Sequence, residues 1–191
     1  MKNAIILHGM PGREEYYSTK YPSASNFHWL PWLQKQFLIA DILAVTPEMP
    51  NSFSPDYFIW KREFERFDIT PETILVGHSC GGGFLVRYLS EHKNVKVGKV
   101  VLVAPWIDPE KELSNGFFEF EIDKDLVNRT KRVTIFHSDN DSKDINTSVD
   151  LITNVVGDIK LTVFKGYGHF IPGDMESSEF PELLEESLLS Q

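Results

Sequence analysis

The stretch "TILVGHSCGGGFLVRYL", residues 73–89, decides how this chain is read. Thr73–Val76 is a short apolar run of the kind that makes a buried strand. Glycines at 77, 81, 82 and 83 then surround Ser79, and Phe84, Leu85, Tyr88 and Leu89 follow at helical spacing. Strand, glycine-rich turn and helix are the context that the G-x-S-x-G nucleophile elbow requires. The same residues also describe an ordinary strand-to-helix turn. With glycine near 7% of residues, chance supplies the motif in roughly one chain of this length in fifteen. A serine hydroxyl is a poor nucleophile at neutral pH and needs a base, so the rest of the chain decides between the two readings.

Outward from this stretch, short β-rich runs recur: "AIIL" (4–7), "IADILAV" (39–45), "VVLVA" (100–104), "RVTIFH" (132–137) and "IKLTVF" (159–164). Their near-continuous Val, Ile and Leu content predicts parallel strands covered on both faces. Helical patterns lie between most of them. "SPDYFIWKREFERF" offers Ser54 as a cap, Pro55 in the first turn, and Tyr57, Trp60, Phe64 and Phe67 along one face. "SEFPELLEESLL" predicts an amphipathic helix near the end of the chain. The alternation predicts an α/β fold, a mostly parallel sheet of about six strands with helices on both faces. No repeat or linker divides the chain, so residues 1–191 are expected to form a single domain. Two segments break the alternation, 10–28 and 105–131, and the second is expected to be an insert that serves as a lid. Both follow strand C-termini, where open α/β sheets bind ligands.

The length of 191 residues suits one domain, and 41% hydrophobic with 25% charged residues is ordinary for a globular protein. A net charge of −9 leaves no basic stripe for nucleic acid. The apolar run near the N-terminus is too short for a signal-peptide core or a membrane span and reads as a first strand. Cys80 is the only cysteine, so no internal disulfide forms and a cytoplasmic setting is expected.

Among six histidines, His169 in "GYGHF" follows the last predicted strand directly, where the chain order serine, acid, histidine puts the base. The acid belongs at the end of the preceding strand, where "SDNDSKD" offers Asp139, Asp141 and Asp144. A place a few residues past the strand favours Asp141; Asp139 is the alternative, and Asp108 is an outside candidate. Two backbone N–H donors are needed for an oxyanion. Cys80, next to the serine, and Met10 in "HGMPG" occupy the expected positions. Cys80 is read as a small buried side chain and His8 as structural. No H-x-x-x-H or H-x-H pair supports zinc, and neither a metal nor another cofactor is expected. Tyr16, Tyr17, Trp106, Phe117 and Phe118 are expected to wall the substrate pocket.

"AIILHGMPG", "ADILAVTPEMP", "ILVGHSCGG", "KVVLVAP", "SDNDSKD" and "GYGHF" occur in the order found in YdeN-like small serine hydrolases, the group that includes the retinoblastoma-binding-protein type within the α/β-hydrolase superfamily. The chain resembles that family over nearly its whole length. The resemblance implies a compact hydrolase core with Ser79 as nucleophile, Asp141 as acid and His169 as base. It departs from the pattern after the acid, where Asp144 and Ile145 stand in place of a hydrophobic pair. The expected function is a serine hydrolase of carboxylesterase type, cleaving small-molecule esters or thioesters through an acyl-enzyme. The alternatives are a binding or interaction protein on a hydrolase fold, and an amide or peptide hydrolase. No protein partner is identified, and neither nucleic acid nor membrane is expected as a partner.

Overall fold

A computed structural model describes residues 2–189. Six strands form one sheet: β1 (Asn3–Leu7), β2 (Leu43–Val45), β3 (Ile74–His78), β4 (Val97–Val103), β5 (Thr130–Ser138) and β6 (Lys160–Phe164). Their spatial order is β2-β1-β3-β4-β5-β6, and every neighbouring pair is parallel. Among the described residues the α-helices are α1 (Arg13–Tyr17), α2 (Leu30–Ile39), α3 (Tyr57–Phe64), α4 (Cys80–Glu91), α5 (Lys143–Val155), α6 (Pro172–Met175) and α7 (Pro181–Leu188).

Side-chain alternation along the central strands sorts the helices into two layers. Val100 and Leu102 of β4 and Val133 of β5 meet Val86 and Leu89 of α4 and Ile152 of α5. On the other face, Thr134 donates to Glu186 of α7 at 2.7 Å, and Phe136 packs on Phe180 with ring centroids 5.6 Å apart. Trp29, beside α2, meets Phe180 on that same face, and Trp60 and Phe64 of α3 meet Phe84 of α4 on the first. Both faces of the sheet are therefore covered, which is why the strands read as continuous apolar runs. Each of these fully buried large side chains contributes about 1.5–3 kcal/mol relative to an exposed one. Among the described residues, no helix is long and apolar enough to cross a membrane.

Three expectations change in detail. The second strand begins at Leu43 rather than residue 39, because α2 runs to Ile39 and Asp41 turns the chain at φ 56°. The apolar residues there serve two elements, with Leu33 and Phe37 buried by the helix and Ala44 by the strand. The cap of α3 is Asp56, whose carboxylate accepts the Ile59 N–H at 3.0 Å, so Ser54 and Pro55 precede the helix. Residues 10–28 hold α1 and a 3-10 turn over Ala24–Asn26.

The segment after β4 lies against α3 and α4. Phe117 is buried against Trp60 and Phe84, and Arg87 of α4 donates to the carbonyls of Gly116 and Phe117 at 2.6 Å. The Arg87 guanidinium also stacks over the Tyr57 ring at 3.6 Å. Asp108, itself buried, accepts the N–H groups of Glu112 and Leu113 and closes the first turn of the segment.

Candidate active site

Ser79 stands between the last residue of β3 and the first of α4, with φ 51° and ψ −120°. A non-glycine residue at positive φ is strained by about 1–3 kcal/mol and needs its surroundings to hold it there. Here the Ser79 N–H donates to Val103 O at 2.9 Å, while its carbonyl accepts from Gly83 and Trp106, each at 3.0 Å. The turn is so tight that a Cβ on Gly77 would lie 2.7 Å from the backbone of Gly82. One on Gly81 would collide with the carbonyl of His8. Glycine at both places lets the helix start against two strands while the serine side chain is raised out of the sheet.

His169 arrives from the loop after β6. Its Nδ1 is 3.0 Å from Asp141 Oδ2 and 3.2 Å from Oδ1. The Asp141 side chain is only 2% exposed, against 32% for His169. A buried carboxylate in this position favours the tautomer with the proton on Nδ1. Asp139 does something else: it accepts the Gly166 N–H at 2.9 Å. Asp144 lies in the first turn of α5, and Asp108 is engaged in its own turn. Among the described residues no hydrogen bond joins the Ser79 hydroxyl to His169, although both side chains line the same cavity.

Among the described residues, the backbone N–H groups of Cys80 and Met10 beside the serine have no protein acceptor. That of Cys80 begins α4 and has no intrahelical acceptor, as at any helix start. That of Met10 has no protein partner among the described residues, and Met10 lines the cavity beside Ser79. The Cys80 side chain is fully buried, and burial, with the Asp108 charge second, pushes its thiol well above the ordinary range. Its Sγ is therefore no thiolate nucleophile. His8 is buried with both ring nitrogens engaged: Nε2 accepts the Met49 N–H at 2.8 Å, and Nδ1–H donates to Gly9 O at 2.7 Å. Among the described residues no three His, Cys, Asp or Glu side chains are grouped so as to hold a metal ion.

Ser79 and His169 sit where two depressions meet. The larger, about 790 Å³, is lined by Tyr21, Phe27, His28, Ile171 and Pro172. The smaller, about 340 Å³, is lined by Trp106, Ile145, Ser142 and Asp144. Of the five aromatic residues expected in the wall, only Trp106 lies beside the serine. Tyr16 and Tyr17 pack on Phe53, and Tyr17 is largely exposed. Phe117 is buried under the segment that follows β4, and Phe118 packs on Phe117 and Trp106. The short helix α1 turns Tyr16 and Tyr17 aside, and the Arg87 anchor draws Phe117 down onto α4. The sequence reading passed over His28, at φ 55° and stacked on Phe27. Burial, with the neighbouring His169 and His8 imidazoles, lowers His28 to about 4, so it is neutral at pH 7. Its place in "NFHW", between the loop after β1 and α2, was the available signal.

The comparisons with known proteins bear on the family and the fold. A model of the family described as serine hydrolase matches residues 20–173. The structure of the ydeN gene product from B. subtilis superposes with a TM-score of 0.76 at 23% identity, covering 97% of this chain and 96% of that one. A YdeN-like hydrolase from Pectobacterium atrosepticum gives 0.65 at 17% identity, with 97% and 88% covered. Est1E from Butyrivibrio proteoclasticus gives 0.64 at 16% identity, with 97% and 86% covered. No curated protein sequence matches the chain significantly. The fold is that of the α/β hydrolases, and the family resemblance read from the motifs agrees with both findings.

Proposed function

The chain belongs to the serine hydrolase family, and on that premise we propose that it is a carboxylesterase-like enzyme cleaving small ester or thioester substrates with Ser79, His169 and Asp141. The observation that carries this reading is the Asp141–His169 pair, 3.0 Å apart, lining the smaller depression together with a serine held at positive φ. In the proposed cycle Ser79 Oγ attacks the substrate carbonyl carbon and His169 Nε2 takes its proton. The Met10 and Cys80 N–H groups receive the charge that develops on the carbonyl oxygen; one such donor is worth about 10²–10³ in rate. His169 then returns the proton to the departing alcohol or thiol, leaving the acyl group on Ser79. Water, deprotonated by His169, releases the acid and restores the serine. The two depressions supply separate places for the acyl and leaving groups, and Trp106 of the 105–131 segment forms part of the smaller wall.

Labelling with a fluorophosphonate probe tests the proposal. Wild type should label, while Ser79→Ala and His169→Ala should not, and p-nitrophenyl ester turnover should fall on the order of 10⁶-fold in both. A folded wild type that neither labels nor turns over esters would discard this reading in favour of a binding protein. Turnover of anilides at a rate matching that of esters would instead favour amide hydrolysis.

A further inference from the structure

The peptide groups on either side of the His169 Cα are held by two side chains from different elements. Asp174 Oδ2, in α6, accepts the His169 N–H at 2.8 Å. His78, the last residue of β3, donates Nε2–H to the His169 carbonyl at 2.8 Å. We infer that His78 and Asp174 clamp the His169 backbone and act as positioning residues that set the imidazole against Ser79. The inference rests on the reading of His169 as the base.

Several observations converge on it. A carbonyl oxygen can only accept, so His78 carries its proton on Nε2. Burial, with the His169 and His28 imidazoles nearby, holds His78 well below the ordinary histidine range and keeps it neutral. Among the described residues its Nδ1 is then a buried acceptor without a protein partner. That arrangement costs stability, and an apolar side chain at this place would avoid it. His78 also directly precedes Ser79, so one side chain ties the nucleophile's strand to the base's loop, with the two imidazole rings 4.9 Å apart. On the other side, Gly168 stands at φ 51°, and a Cβ there would collide with the Asp174 carboxylate. The loop can bring Asp174 to the His169 N–H only because residue 168 is glycine.

The clamp predicts a loss in kcat rather than in binding. His78→Phe should lower kcat for a p-nitrophenyl ester by about 10- to 100-fold, with KM within about twofold, as expected for a misplaced group. His78→Gln, which keeps a donor at similar reach, should recover kcat to within about fivefold of wild type. In a His169→Ala background, His78→Phe should cause no further loss, because it acts through His169. Asp174→Ala should give the same pattern, and it decides the matter if His78→Phe does not fold. Folded variants with wild-type kcat, or a loss that persists in the His169→Ala background, would overturn the clamp. If His169→Ala itself labels and turns over normally, the reading of His169 as base fails first and the clamp with it.

Discussion

One residue separates Asp139 from Asp141, yet one carboxylate holds a backbone N–H and the other faces an imidazole. The difference comes from the turn after β5, where the Asp141 N–H donates back to Ser138 O at 3.3 Å and carries the second carboxylate inward. Exposed Asp139 stays at the rim, and Asn140 Oδ1 accepts the Gly168 N–H at 2.9 Å. Asp141→Asn should therefore lower kcat by about 10⁴-fold, since an amide favours the wrong imidazole tautomer. Asp139→Asn should leave kcat within about threefold, because an amide oxygen still accepts the loop N–H. Steady-state ester kinetics on the two variants would separate the roles, and equal losses would reverse the assignment. At residue scale the sequence left both aspartates open, because spacing along a loop does not say which way a carboxylate points.

The turn from β3 to α4 was the most legible element. Its glycines follow from close approach: Gly81 faces the His8 carbonyl and Gly77 faces Gly82. Gly81→Ala should destabilise by about 1–3 kcal/mol, the usual cost of overpacking. That corresponds to a fall in Tm of about 2–4 °C for each kcal/mol in a chain of this size. Gly157→Ala, with nothing near the added Cβ, should stay within about 0.5 kcal/mol of wild type. Thermal melts of the pair test whether packing or chain flexibility explains the glycines. Less legible were α2 and α5. The boundary between α2 and β2 lies inside one apolar stretch, where helix and strand patterns overlap.

Across the whole molecule, His8, His28 and His78 gather beside the cavity and burial lowers all three. In the unfolded chain a histidine titrates near 6.5, whereas His28 in the fold titrates at about 4. Between those values the unfolded state binds protons that the folded state refuses, so stability falls as pH falls. It should be fully present above about pH 6.5 and decline toward pH 4. Urea midpoints at pH 7.5 and pH 5 should show the drop, and His28→Gln should lessen it. A midpoint that does not move over this range would mean that these rings take up protons without unfolding.

By itself the sequence determined the parallel α/β architecture, the elbow around Ser79 and the candidacy of His169. Each depends on local pattern: apolar runs, glycines where chains touch, and the order of strand ends. Only the tertiary structure decided which aspartate meets His169, which aromatic residues reach the cavity, and what grips the His169 backbone. Those outcomes depend on how loops from β1, β3, β5 and β6 converge at the C-terminal end of the sheet. Asp174 and His78 are 96 residues apart in the chain, and the fold brings both to the peptide groups of a single residue.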